Sequence, residues 1–162
     1  MIAVISDTHL PRGRRRLPEA CLDRLREAEL ILHAGDLASE AALDELEALG
    51  TPVLAIHGNV DSPELRECLP ASRVVEAHGA RIAMIHDAGP GRGRLKRLRR
   101  WFPDADAVVF GHSHIPLHEE DAEGFQIFNP GSPTDRRREP HHTMGEARVE
   151  ATGVSFRIVR VE

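Results

Sequence analysis

The stretch VVFGHSHIP, residues 108–116, runs three apolar residues into a glycine and then sets two histidines on either side of Ser113. An apolar, β-branched run of this length reads as a strand buried on both faces. Pro116 closes the segment. The same arrangement recurs upstream. MIAVIS ends in Asp7-Thr8-His9, LILHAGD in Gly35-Asp36, PVLAIHGN in Gly58-Asn59-Val60-Asp61, and RIAMI in His86-Asp87. Each apolar run therefore delivers Asp, His or Asn at its carboxyl end.

Helical patterns separate the first of these runs. Residues 17–29 place Cys21, Leu22, Leu25 and Ala28 at helical spacing, and Pro18 suits a first helical position. Residues 39–50 read as a helix capped by Ser39 and ended by Gly50, with Ala42, Leu43, Leu46 and Leu49 inward. Residues 62–69 form a short helix. Residues 93–102 form a basic amphipathic one, with a charged outer face and Trp101 and Phe102 in the core. RVVEA (73–77) and RIAMIH (81–86) read as a hairpin around His78-Gly79, and strands near 125–128, 146–150 and 154–161 complete the chain. Strand–helix alternation followed by a strand-rich half predicts an α/β fold with parallel and antiparallel strands flanked by helices. Ligands in such sheets gather beyond the carboxyl ends of the strands.

The composition fits a globular chain. The 162 residues suit one domain, 1–162, and are 41% hydrophobic and 29% charged. No apolar run approaches the roughly 20 residues of a membrane span, so no membrane partner is expected. MIAVIS carries no charged segment of the kind that opens a secretory signal. Cys21 and Cys68 read as reduced thiols, which points to the cytoplasm. A net charge of −5 argues against binding long nucleic acid. Arginine is nevertheless clustered at 12–16, 92–100 and 136–138. Such clusters suit a solvated face, a homo-oligomer contact or a phosphate-lined mouth.

Seven strand-end groups, Asp7, His9, Asp36, Asn59, His86, His112 and His114, are too many for one closed tetrahedral zinc site. They suit two divalent ions of the Mn, Fe, Zn or Co type, with one carboxylate shared between them. If these ends are extended, Asp7 with His9 and His112 with His114 each aim two side chains the same way. Glycines 35, 58 and 111 suit a backbone packed close to a crowded site.

These blocks, D-x-H, G-D, G-N-x-D, a lone His and G-H-x-H, resemble the calcineurin-like metallophosphoesterase superfamily, and FNPGS at 128–132 resembles its small YfcE-like branch. The resemblance implies a two-sheet sandwich with helices outside (αββα). It implies hydrolysis of a small phosphodiester or phosphomonoester by metal-activated water. One ion would be held by Asp7, His9, Asp36 and His114, and the other by Asp36, Asn59, His86 and His112, with Asp36 bridging. Asp36, Asn59 and His86 are the implied catalytic positions. Two divalent ions are the implied cofactors, manganese first, with Fe, Ni, Zn or Co as substitutes.

Two positions depart from the pattern. Val60 stands where many members carry a proton-donating histidine, and Asp61 follows it as a group that could orient one. Asp87 stands where glycine usually follows the lone histidine; it could ligate, orient His86 or repel anions. The superfamily also includes a retromer scaffold subunit, so a metal-binding interaction module is the alternative. A chain given over to that use should have lost ligands, and none is missing here.

Other polar residues read more plainly. His33 and His57 fit supports for the ligands, with His57 a lesser candidate for leaving-group acid. His141 and His142 fit a solvated loop. Asn129 to Ser132 fit either a pocket wall or an ordinary turn.

Overall fold

A computed structural model describes residues 1–13 and 15–162; Arg14, of the first arginine cluster, lies outside the described residues. The first strand, β1 (Ile2–Ile5), is buried throughout. Alternate side chains leave opposite faces of a strand, and here they join two different cores. Ile2 and Val4 enter one apolar cluster, Ala3 and Ile5 another.

Parallel strands β2 (Leu30–His33) and β3 (Val53–Ala55) continue the sheet on one side of β1. Antiparallel β9 (Thr143–Glu150) and β10 (Gly153–Arg160) extend it on the other, giving the order β10-β9-β1-β2-β3. The second sheet contains β4 (Ser72–Ala77), β5 (Ala80–Ile85), β6 (Ala107–Val109), β7 (Leu117–Glu120) and β8 (Gln126–Asn129), in the order β4-β5-β6-β8-β7. Val4, Leu32 and Ile56 of the first sheet's side meet Ile82, Met84, Val109 and Phe128 of the second between the layers.

Helices close both outer faces. α1 (Glu19–Glu27), α2 (Glu40–Glu47) and α3 (Pro63–Cys68) bury Cys21, Leu25, Leu46 and Leu65 against Ala3, Ile5 and Ile31. α4 (Arg94–Trp101) buries Leu98 against Ala83, Val108, Phe110 and Ile127. The result is the expected helix–sheet–sheet–helix architecture. β1, β2 and β3 are parallel, as are β5, β6 and β8, so six strand ends face one rim.

Local signals hold with a few corrections. Ser39 accepts a hydrogen bond from the Ala42 amide as the cap of α2. Ala77 pairs with Ala80 across a turn in which His78 and Gly79 both have positive φ (51° and 86°), which favours the right-handed twist of a hairpin. Pro18 caps α1 instead of opening it; its ψ of 146° is extended. β7 had no clear pattern, because a polar edge strand such as LHEE shows little apolar alternation.

Trp101 is 44% exposed, not core, and the Arg97 guanidinium lies over its ring. The α4 cations are also less free than their spacing suggests. Arg99 pairs with Asp121 and Glu123. Arg97 donates to the carbonyls of Ala88, Pro90 and Arg92, and Arg94 donates to Gly89. These bonds tie α4 to the loop that follows His86. No described helix is long and apolar enough to cross a membrane.

Glu146 on β9 couples the sheet to α1. Its buried carboxylate accepts from Arg24 of α1 and Arg157 of β10. Burial alone would raise its pKa, but the Arg157 and Arg24 guanidiniums more than offset that and hold it below the usual glutamate range. A depressed pKa contributes stability that is present above the unfolded value and lost as pH falls through the folded one. The melting temperature should therefore fall below about pH 4.5, and Glu146→Gln should flatten that part of the curve. Identical acid slopes for the two proteins would contradict this linkage.

Candidate metal centre

The candidate ligands converge at the shared rim, though not through extended backbone. Asp7 (φ 56°), His9 (48°), Asp36 (60°), His112 (68°) and His114 (60°) all occupy the left-handed region. Each loop coils as it leaves its strand, and this coiling, instead of strand alternation, turns Asp7 and His9 inward. Non-glycine residues reach this region at a cost of order 1–3 kcal/mol, and such sites cluster where function over-determines the backbone. Two glycines permit the crowding. A Cβ at Gly58 would collide with the Asp36 carboxylate, and one at Gly111 would collide with Ser6 Oγ and the Asp7 carboxylate.

His9 Nε2 lies 3.2 Å from His114 Nε2, and the two rings stack. His114 Nε2 is 3.4 Å from Asp7 Oδ1. His86 Nε2 lies 3.2 Å from Asp36 Oδ2 and 3.1 Å from Asn59 Oδ1. His112 Nδ1 reaches the same Asn59 oxygen at 3.0 Å. All seven candidates are thus brought together. Two groups have ligand-atom spacing suited to a metal, Asp7-His9-His114 and Asp7-Asp36-His86. Asp7 is common to both. Asp36 Oδ2 also lies between the groups, 3.8 Å from His9 and 3.2 Å from His86. The geometry therefore offers two carboxylates that span the halves of the site, where the resemblance implies Asp36 alone as the bridge.

The donor chemistry fits cations. Asp7 and Asp36 are buried, and among the described residues no Lys or Arg pairs with either. Buried charges are ordinarily paired or coordinate metals. Nδ1 of His86 faces the Ala34 carbonyl and Nδ1 of His114 the Asp135 carbonyl. A carbonyl only accepts, so each Nδ1 carries a proton and it is Nε2 that faces the site, the atom whose lone pair a metal would take from the neutral ring. Burial raises the Asp7 pKa against the pull of His86 and His114. Burial works the same way on Asp36, but the hydrogen bond and charge of His86 override it and bring Asp36 to about 2. Burial would lower His86, yet Asp36 and Asp7 push it up to about 9. His9 is lowered, chiefly by burial.

A supporting layer fixes these ligands. Asp61 does not face the site mouth to orient a group at position 60. Its buried carboxylate accepts from the amides of Asp36 (3.0 Å), Ala38 (2.7 Å) and Gly58 (2.6 Å), joining two ligand loops. His33 accepts from the Gly35 amide at Nδ1, so the neutral ring's Nε2–H donates to Thr8 Oγ1 at 3.0 Å. Burial holds its pKa down to about 4. Ser6 donates to Asp7 Oδ2 at 2.7 Å.

The 128–135 segment makes its turn at Asn129–Gly131 and also braces the site. Asn129 donates to the Gly111 carbonyl, Ser132 to that of Asp7, and Thr134 to that of Thr8. Arg15 pairs with Asp135, whose carbonyl holds His114. Of these supports, Ser6, Thr134, Asp135 and Arg15's pairing carried no sequence signal of their own; Asp61 was visible only as the last letter of G-N-x-D. His57 is half-buried with its ring against the Gly58 carbonyl. Asp87 is exposed and accepts from the Gly89 amide, shaping a turn. His141 pairs with Glu162. Arg12 and Arg16 are exposed.

Two five-stranded sheets between helices, with a His/Asp/Asn cluster at their common rim, define a fold and site of the metal-dependent phosphoesterase class. The description of the calcineurin-like phosphoesterase superfamily domain matches residues 1–152, and the chain belongs to that family. It is 43% identical over 136 residues to a probable metallophosphoesterase of Methanothermobacter thermautotrophicus, covering 83% of this chain and 77% of the relative. A Thermotoga maritima protein solved by NMR is 28% identical with a TM-score of 0.75, covering 98% of both chains. Entamoeba histolytica Vps29 complexed with zinc superposes with a TM-score of 0.77 at 22% identity, covering 99% of both chains, a likeness of fold.

Proposed function

We propose that this chain is a two-metal phosphoesterase that hydrolyses a small phosphodiester or phosphomonoester by attack of water. One observation carries this reading: seven metal-competent donors meet, and no Lys or Arg among the described residues neutralises the two buried carboxylates in the set. Asp7, His9, Asp36 and His114 would hold one ion, and Asp36, Asn59, His86 and His112 the other. Manganese is the first ion to test, then Fe, Ni, Zn and Co. Bound divalent ions supply a lowered water pKa and positive charge opposite the phosphoryl oxygens.

The protein's own groups do the remaining work. Ala34 and Asp135 carbonyls fix which nitrogen His86 and His114 present. Asp61 holds the Asp36 and Asn59 loops in register. Asn59 and His112 are exposed, so the ester approaches from their side. Two free thiols, Cys21 and Cys68, suit a cytoplasmic setting.

Turnover of a panel of phosphate monoesters and diesters by protein loaded in turn with Mn, Ni, Zn and Mg, with metal content measured alongside, tests the reading. Metal-dependent release of phosphate or alcohol is expected. Stoichiometric metal binding with no turnover of any ester would replace the enzyme with an interaction module.

A further inference from the structure

Five large apolar side chains are prominently exposed among the described residues: Val60, Val74, Trp101, Ile115 and Ile158. Two of the five stand one residue beyond a candidate ligand. Val60, 45% exposed, follows Asn59; Ile115, 50% exposed, follows His114. Asn59 and His112 are the exposed ligands, and they share a contact at 3.0 Å, so the site opens where these two segments meet. Both apolar residues are tied through their amides to the loops that carry the candidate ligands. The Val60 amide donates to Asp36 Oδ1, and the Ile115 amide donates to Ser113 Oγ.

Two described cations bonded to these loops or to the Asp135 brace are otherwise engaged. Arg66 is spent on the Asn59 and Asp61 carbonyls, and Arg15 on Asp135. Each of the two ligand-bearing loops thus presents one β-branched apolar side chain to solvent. A second observation bears on the same group. Asp61 is turned inward onto three amides, and valine has no proton to give, so position 60 supplies no general acid.

We propose, resting on the phosphoesterase reading above, that Val60 and Ile115 form an apolar lip that receives an aromatic alcohol portion of the ester. An aryl ring is flat, apolar and broad enough to lie on such a lip. It is also the leaving group that needs least protonation. In the step, the oxygen of the attacking water bonds to phosphorus and its proton passes to solvent. The bond from phosphorus to the aryl oxygen breaks, and its electron pair leaves on the aryloxide. Val60 and Ile115 are specificity-determining residues for this alcohol and take no part in the bond changes.

The test compares phenyl and methyl esters of the same phosphodiester series on metal-loaded protein, together with binding of phenylphosphonate and methylphosphonate by calorimetry. Both residues are exposed, so Val60→Ser, Ile115→Ser and the double variant should fold. The wild type should favour the phenyl compounds in both kcat/KM and affinity. The double variant should lose about tenfold of the phenyl-to-methyl affinity ratio, the scale of a small apolar contact. Val74→Ser, on β4 away from the rim, should leave the ratio as it was. Equal wild-type affinities for the two phosphonates, or an unchanged ratio in the double variant, would overturn the lip while leaving metal-dependent hydrolysis in place. Absence of turnover on every ester would overturn the phosphoesterase reading, and with it the leaving-group role assigned here.

Discussion

Asp36→Asn is expected to lower turnover by more than about a hundredfold and to reduce metal occupancy of the purified protein. Residues that merely support a metal ligand contribute about 10–100-fold, and Asp36 is a candidate ligand whose Oδ2 lies between His9 and His86. Asparagine keeps the size of the side chain and an oxygen for the Val60 amide, which now donates to Oδ1 at 3.0 Å. It removes the negative charge between the two halves of the site. The fold should therefore survive while metal binding weakens, a combination visible as an intact melting transition with low metal content by elemental analysis. A variant that retained both its metal content and near-normal turnover would show that Asp36 is not a ligand.

Asp61 should reveal itself as a graded series. Alanine there leaves three amides, the buried ones of Asp36 and Gly58 and the part-buried one of Ala38, without their acceptor. Each orphaned group costs ~1–3 kcal/mol, so the sum is about 3–9 kcal/mol against a total stability of roughly 5–15 kcal/mol. The melting temperature should drop by about 10 °C or more for a chain of this size. Asparagine should be milder. Its oxygen can serve the Asp36 and Gly58 amides that now share Oδ2, and only the Ala38 amide is left facing an NH2 group. Metal affinity should follow the same order, wild type above Asn above Ala, because both ligand loops hang on this carboxylate. Thermal melts and metal titrations that ranked Asn with Ala would mean that its charge matters more than its geometry as an acceptor.

Most of the architecture was legible because its signals are local. Apolar runs of strand length, separated by amphipathic helices with Ser39 and Gly50 at their ends, need no distant partner to be read. The candidate ligands were legible for the same reason: Asp7, His9, Asp36, Asn59, His86, His112 and His114 each follow such a run. The mistakes fall where long-range contacts decide. Trp101 is apolar at a helical position and still exposed, because Phe102 and Leu98 take the space over the second sheet. The α4 arginines look solvated in sequence, yet Arg97 and Arg94 are spent on carbonyls of the loop after His86.

By itself, then, the sequence determined the order of strands and helices, the rim at which the polar residues emerge and the donor types available there. Periodicity and turn chemistry act over a few residues and leave their mark in the string. Tertiary structure alone decided how the donors are used. It set Asp7 beside both ligand groups, although Asp7 and His114 are far apart in the chain. It turned Asp61 away from the mouth and onto three amides. It also bound Arg15 to Asp135 and, through the Asp135 carbonyl, fixed the nitrogen His114 presents. The physical reason is that a buried charge or amide must find a partner wherever the fold brings one within about 3 Å, and that partner is chosen by packing between sheets and loops, not by neighbours in sequence.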